Sequence, residues 1–163
     1  MKMKNKLLSI MLITFLGLSL VGCGFNVDKA KADSKQALQT FLSSHKNKEV
    51  IVNSMDNEKV ENYVSNNFKE YFTNQFMSNV KSTITDKSVI NFDNKNTFFL
   101  IPDNEESKTE FFNDYKLNDS DVQVDKDNKT VKYSVKGNYV GTKDSITITM
   151  KQENGKWKID KVE

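Results

Sequence analysis

The end of the chain reads VKYSVKGNYVGTKDSITITMKQENGKWKIDKV at residues 131–162, and its alternation of apolar and polar side chains decides the fold. Apolar residues take every second position in two runs, which consist of Val131, Tyr133, Val135, Ile146, Ile148 and Met150. Alternation with a period of two places one side of a strand against a core and the other side in water. The Asn154-Gly155 pair that follows favours a two-residue β-hairpin turn. The pattern predicts consecutive antiparallel strands that share one apolar face.

Neighbouring residues complete the predicted sheet. Upstream, Val122 and Val124 alternate with polar residues, and the polar run 125–128 follows them as a turn. Trp157 and Ile159 come after the hairpin turn and, being two residues apart, share one side of the last strand. The sequence therefore predicts a curved antiparallel meander of four strands, with Trp157 buried beneath the elements that cover its apolar face.

Helical segments precede the sheet and can supply that cover. Asp33 and Ser34 are residue types that cap helices, and apolar residues at helical spacing behind them predict a helix over 34–45. The order of elements predicts an α+β domain, in which N-terminal helices pack on a four-stranded antiparallel meander.

A second apolar stripe, with steps of three and four residues, extends over 60–80. Its polar interruption at 65–67 predicts either a bend or two helices, the two helices extending over about 57–66 and 67–82. Val64, Phe68, Tyr71 and Phe72 belong to this stripe and are expected to lie over Trp157. Between the stripe and the meander, the sequence predicts short strands at 89–92 and 97–101 and one or two helical turns within 105–115.

The closing stretch ENGKWKIDKV, residues 153–162, resembles the last hairpin of exported NTF2-like and cystatin-like domains of Gram-positive lipoproteins. The resemblance implies that such a domain occupies 34–163, and it leaves the two topologies open. The plan is also similar to that of staphylococcal plasmid-transfer lipoproteins, which implies a place in a conjugative-transfer apparatus. Domains of this kind include enzymes, binding modules and scaffolds, so the resemblance alone does not define an activity.

The N-terminal segment has the pattern of a secretory signal. Lys2, Lys4 and Lys6 precede the apolar run LLSIMLITFLGL, residues 7–18. A membrane-spanning helix needs about 20 apolar residues, so this run is short for a span and typical of a signal peptide.

Leu20-Val21-Gly22-Cys23 resembles the lipobox of bacterial lipoproteins. The resemblance implies that Cys23 receives a diacylglyceryl group and that a signal peptidase recognises Leu20, Val21 and Gly22. Residues 1–22 would then be the signal peptide, 23–33 a lipidated flexible tether and 34–163 the exported domain. The implied location is the extracytoplasmic face of the cell membrane, where two acyl chains hold a protein stably.

The composition argues against several function classes. Outside the predicted signal, 21 lysines face 22 acidic residues and there is no Arg, which gives no electrostatic basis for nucleic-acid binding. Cys23 and His45 are the only Cys and His, so no metal or cofactor is predicted. A calcium loop beginning at Asp125 would need Gly at its sixth position and Glu at its twelfth, where Thr130 and Lys136 stand.

Two function classes remain from the residues. Four tyrosines could line a pocket, but no acidic residue lies within the apolar stripes to pair with them, so an enzyme is not predicted; they are Tyr63, Tyr71, Tyr133 and Tyr139. The first class is a binding module for a partner protein or a small apolar ligand. The alternative is a peptide-signal precursor, because the octapeptide FLGLSLVG, from Phe15 to Gly22, resembles an apolar mating pheromone cut from a lipoprotein signal.

Overall fold

The structure, a computed structural model, describes residues 24–45, 51–52, 57–85, 99, 101–102, 116–139 and 142–163. Its helices are α1 (Val27–His45), α2 (Asn57–Phe68) and α3 (Asn74–Thr85). Its strands are β1 (Ile51–Val52), β2 (Ile101–Pro102), β3 (Lys116–Asp125), β4 (Thr130–Tyr139), β5 (Thr142–Glu153) and β6 (Lys156–Val162). The chain is therefore an α+β protein in which the helices pack on an antiparallel sheet, as the sequence predicts.

The main sheet is a four-stranded meander in the order β3-β4-β5-β6, with every neighbouring pair antiparallel. The turn between β5 and β6 has positive φ angles of 53° at Asn154 and 77° at Gly155. A type I′ turn needs positive φ at both central residues, and its twist matches that of the strands. The predicted hairpin is confirmed. A separate parallel pair joins β1 to β2.

The outer edge of β6 is closed by the segment that connects α2 to α3. The Ile159 N–H donates to the Tyr71 carbonyl at 2.8 Å, and the Thr73 N–H donates to the Ile159 carbonyl at 2.9 Å. Thr73 also caps α3, because its hydroxyl accepts the Phe76 N–H at 3.1 Å. One short segment therefore begins a helix and covers a sheet edge that would otherwise leave backbone groups unpaired.

A bulge in β6 sets which of its side chains face the helices. Met150 pairs with Ile159, whereas the adjacent Thr149 pairs with Lys161, so Asp160 is the extra residue. The bulge shifts the alternation by one position, and Ile159 and Val162 are both buried although they are three residues apart. Asp160 turns its carboxylate to the Thr73 hydroxyl at 2.8 Å.

The core lies between the helices and the apolar face of the meander. Its centre is a cluster of five buried phenylalanines, namely Phe41, Phe68, Phe72, Phe76 and Phe99. Phe72 is central, with ring centroids 5.5 Å from Phe68 and 4.9 Å from both Phe76 and Phe99. Such aromatic pairs contribute beyond the area that they bury.

The helix α1 differs from the prediction at its start. It begins at Val27, so the predicted flexible tether over 23–33 is wrong from residue 27 onward, and Asp33 and Ser34 do not cap it. Asn26 is the cap, because its side chain accepts the Lys29 N–H at 2.9 Å. Ala30 and Ser34, only 4% and 0% exposed, continue the buried face one turn at a time toward Leu38. The sequence does not predict this buried face, because Ala30 and Ser34 are small and stand among charged residues.

The break in the second helical stripe also lies later than predicted. The structure places it at residues 69–73 rather than 65–67. Asn67 remains within α2, where its side-chain amide donates to the Tyr63 carbonyl one turn back at 2.8 Å. The predicted strand 89–92 and the predicted turns within 105–115 lie outside the described residues. Of the predicted strand 97–101, Phe99 is a buried turn residue and Ile101 belongs to β2.

Phe72→Ala should destabilise the protein by about 3–5 kcal/mol, the usual range for removing a large buried aromatic side chain. The reason is that Phe72 contacts the four other rings of the cluster, Phe41, Phe68, Phe76 and Phe99. Met77→Ala, five residues further along in α3, is the control and should cost distinctly less, because Met77 is only partly buried. Urea denaturation of both variants measures the difference, and equal losses would contradict this description of the core.

Candidate functional site

A cleft of about 240 Å³ opens at one end of the domain, where the start of α1 meets two turns of the meander. Three separate parts of the chain line it. The start of α1 contributes Phe25, Lys29 and Asp33, the β3–β4 turn contributes Lys129, and the β5–β6 hairpin contributes Gln152 and Trp157. Gly24 also lines the cleft, so the cleft adjoins the predicted lipidation position in the sequence.

Trp157, the only Trp in the chain, is half-buried in this cleft. Its ring packs edge-on against Phe25, with centroids 6.4 Å apart and an interplanar angle of 61°. The prediction that Trp157 is buried beneath the α2–α3 stripe is therefore wrong. Ile159, two residues further along β6, takes that position through its bridge with Phe72. The early start of α1 brings Phe25 over the hairpin end, where a shorter helix would leave Trp157 without that neighbour.

The β3–β4 turn on the other side of the cleft is organised by Asp125. Its carboxylate accepts the Asn128 N–H at 2.9 Å, the Asn128 side-chain amide at 2.7 Å and the Asp127 N–H at 3.0 Å. These hydrogen bonds, chiefly those from Asn128, hold the pKa of Asp125 below its ordinary value. The turn ends at Lys129 with φ of 53°, a conformation that costs energy for any residue with a side chain. The predicted turn is confirmed.

The charges around the cleft balance one another. Lys29 and Asp33 form an ion pair of 2.7 Å across one helical turn, with 72% and 41% of their side chains exposed. The β3–β4 turn adds lysines and aspartates in similar number, with Lys126 and Lys129 beside Asp125 and Asp127. Exposed ion pairs contribute little to stability. The main effect of these residues is that the surface around the cleft has almost no net charge.

A buried pair of hydroxyls, Ser34 and Tyr133, lies behind the cleft. Their oxygens are 2.7 Å apart, and Tyr133 donates to the Lys31 carbonyl at 2.9 Å. The Ser34 hydroxyl also lies 2.6 Å from the Ala30 carbonyl, which can accept its proton. Both hydroxyls are thereby bonded to the backbone of α1. The pair joins α1 to β4 and explains why a Ser can be fully buried on the helix.

The other tyrosines considered as pocket residues lie elsewhere. Tyr63 packs on Phe68 with centroids 5.9 Å apart, and burial raises the pKa of its hydroxyl. Tyr71 packs on Phe41 with centroids 5.4 Å apart. Both therefore belong to the rim of the aromatic core and not to the cleft. The positions that lie outside the described residues or side chains are Leu20, Val21, Gly22, Cys23, His45 and Tyr139.

No protein-family model, curated protein or solved structure matches the chain, so the resemblances noted in the sequence stay predictions. Within the part of the chain that the structure describes, no helix has the length and apolar character needed to cross a membrane. Over the same residues, no three His, Cys, Asp or Glu side chains gather closely enough to hold a metal ion.

Tyr133→Phe should destabilise the protein by about 1 kcal/mol, the typical net contribution of one buried hydrogen bond. Ser34→Ala should cost less, because Tyr133 can still donate to the Lys31 carbonyl. Thermal unfolding of the two variants compares these losses directly. A larger loss for Ser34→Ala would show that the serine, and not the tyrosine, carries the link between α1 and β4.

Asp125 should titrate below its ordinary pKa of 3.8, because its hydrogen bonds favour the charged form. A group whose pKa is lowered by folding stabilises the protein above the unfolded-state pKa, and this stabilisation is lost as the pH falls through the folded-state pKa. Carboxylate chemical shifts followed by NMR between neutral and strongly acidic pH measure the value. In Asp125→Asn the part of the acid destabilisation due to this group should disappear. A pKa at or above 3.8 would contradict the hydrogen-bonded turn.

Proposed function

We propose that the chain is a lipoprotein anchored through Cys23 to the extracytoplasmic face of the cell membrane, where its domain acts as a binding module. The observation that carries the proposal is the Leu20-Val21-Gly22-Cys23 lipobox behind a basic start and a short apolar run. The point at which the folded domain begins supports the proposal, since Asn26 caps α1 only three residues after Cys23. A cleavage before Cys23 would leave the folded domain intact.

Binding is a better proposal than catalysis, because the buried hydroxyl groups behind the cleft form hydrogen bonds within the fold. The hydroxyls of Ser34 and Tyr133 are bonded to backbone carbonyls of α1, so both serve the fold. The cleft beside Trp157 is smaller than the roughly 300–1,000 Å³ typical of small-molecule sites. The cleft is therefore too small to enclose a typical small-molecule ligand, and a macromolecular partner is the better proposal. The resemblance to plasmid-transfer lipoproteins supports a partner within a conjugative apparatus at the cell surface.

A second candidate function uses only the signal segment. The octapeptide from Phe15 to Gly22 is apolar and ends at the proposed cleavage position. Released after export, it would act as a mating pheromone, with the domain as a separate product. The synthetic octapeptide, applied to cells that carry a conjugative plasmid, should then induce aggregation, and a scrambled octapeptide should not. No induction over a wide concentration range would remove this candidate.

Cys23→Ser should abolish lipid attachment, because serine lacks the thiol that accepts the diacylglyceryl group. Cells that express either form are fed an alkyne-tagged palmitate, and the protein is then isolated and probed for the tag. The wild-type chain should be labelled and the variant should not. Ser19→Ala is a matched control beside the lipobox and should keep its label. Equal labelling of wild type and Cys23→Ser would contradict the anchor.

A further inference from the structure

We propose that the cleft end of the domain is a membrane-docking face, whose Phe25 and Trp157 lie in the headgroup region of the bilayer that holds the anchor. The face consists of the start of α1, the β3–β4 turn and the β5–β6 hairpin turn. The inference rests on the proposed lipid anchor and goes beyond it, because an anchored domain could equally stand away from the membrane on a flexible linker.

The first argument is the distance along the chain. Consecutive Cα atoms are 3.8 Å apart, so Gly24 lies about that far from the acylated residue and Phe25 at most roughly 7 Å away. Both residues line the cleft, and the ring of Trp157 is 6.4 Å from that of Phe25. Because α1 begins at Val27, only Gly24, Phe25 and Asn26 separate the acylated residue from the helix, and three residues are too few to lift the domain off the bilayer. The anchor therefore brings Trp157 to the membrane surface.

The second argument is the chemistry of the two aromatic residues. Trp is enriched at both water interfaces of membranes, because its ring is largely apolar and carries one N–H donor. Phe25 and Trp157 are each only partly buried and pack against each other at the rim of the core. Burial of their remaining apolar area among lipid headgroups would add to the attachment that the acyl chains provide.

The third argument concerns charge and determines which lipids are needed. The five lysines of the face, Lys29, Lys31, Lys126, Lys129 and Lys156, are offset by five acidic residues in the same segments, Asp28, Asp33, Asp125, Asp127 and Glu153. A polybasic surface binds anionic lipids, and salt weakens this binding. A surface with equal numbers of positive and negative charges has no such dependence on lipid charge or salt. The docking should therefore be equally strong on zwitterionic and anionic bilayers and insensitive to ionic strength.

The single Trp makes the test specific to one position. The processed, lipidated chain is purified from membranes and reconstituted into phosphatidylcholine vesicles that contain lipids brominated either near the headgroup or near the end of the acyl chain. Shallow bromines should quench Trp157 emission at least about twofold more strongly than deep bromines, as expected for an interfacial Trp. Exchange of half the lipid for phosphatidylglycerol, or addition of salt, should leave the quenching unchanged.

The control moves the reporter to the far end of the helix. Ser43 is exposed and lies 14 residues beyond Lys29 in α1, roughly 21 Å along the axis. The double variant Ser43→Trp, Trp157→Phe should still float with the vesicles, because it keeps its acyl chains, and should show no quenching by either lipid.

Vesicle flotation separates failure of the docking face from failure of the anchor. Wild-type protein that floats with the vesicles, but whose Trp157 is not quenched, would overturn the docking face and leave the anchor intact. Stronger quenching by deep bromines would also overturn it, since the Trp would then lie in the hydrocarbon. Protein that fails to float would overturn the anchor and the docking face together. A strong salt or lipid-charge dependence would overturn the neutral character of the face.

Discussion

The arrangement of helices on sheet depends on the backbone contact between Ile159 and the α2–α3 connection. A strand that ends a sheet exposes a row of unpaired donors and acceptors, and here the N–H and carbonyl of Ile159 are matched by Tyr71 and Thr73. The contact fixes where α3 begins, because Thr73 is also its cap. It brings Phe72 over the meander, where it meets the rings of Phe68 and Phe99. The position of the aromatic core therefore follows from a few hydrogen bonds at one edge.

The sheet could be predicted from the sequence because its determinants are local. Strict alternation marks β4 and β5, and Asn154-Gly155 allows the two positive φ angles of the hairpin turn. The bounds of the helices were harder to predict from the sequence. Ala30 and Ser34 complete the buried face of α1, but both are small and stand among charged residues, so the stretch resembles a linker. The bulge at Asp160 could not be predicted from the neighbouring residues either. The hydrogen bond that its carboxylate accepts comes from Thr73, which lies far away in the chain.

The candidate site illustrates the same division between local and distant determinants. The predicted anchor at Cys23 rests on four consecutive residues and needs no knowledge of the fold. The cleft beside it needs Phe25, Lys129 and Trp157 together, and they come from three distant parts of the sequence. The environment of Trp157 could not be deduced because it depends on where α1 begins. An error of seven residues at the start of α1, predicted at 34 and found at 27, was enough to assign the wrong neighbours to a large side chain.

The link between Ser34 and Tyr133 joins residues that are 99 positions apart, and this separation has a consequence for the order of folding. The hairpins of the meander close short loops, which is fast, whereas α1 finds its partners only across most of the chain. A chain that emerges with its N-terminus first presents α1 long before β4 and β6 exist. Until the strands of the meander have been synthesised, the buried face of α1 has no sheet to cover, and the helix is exposed to unfolding and to proteases. The packing of α1 on the meander therefore forms only after β6 has been synthesised.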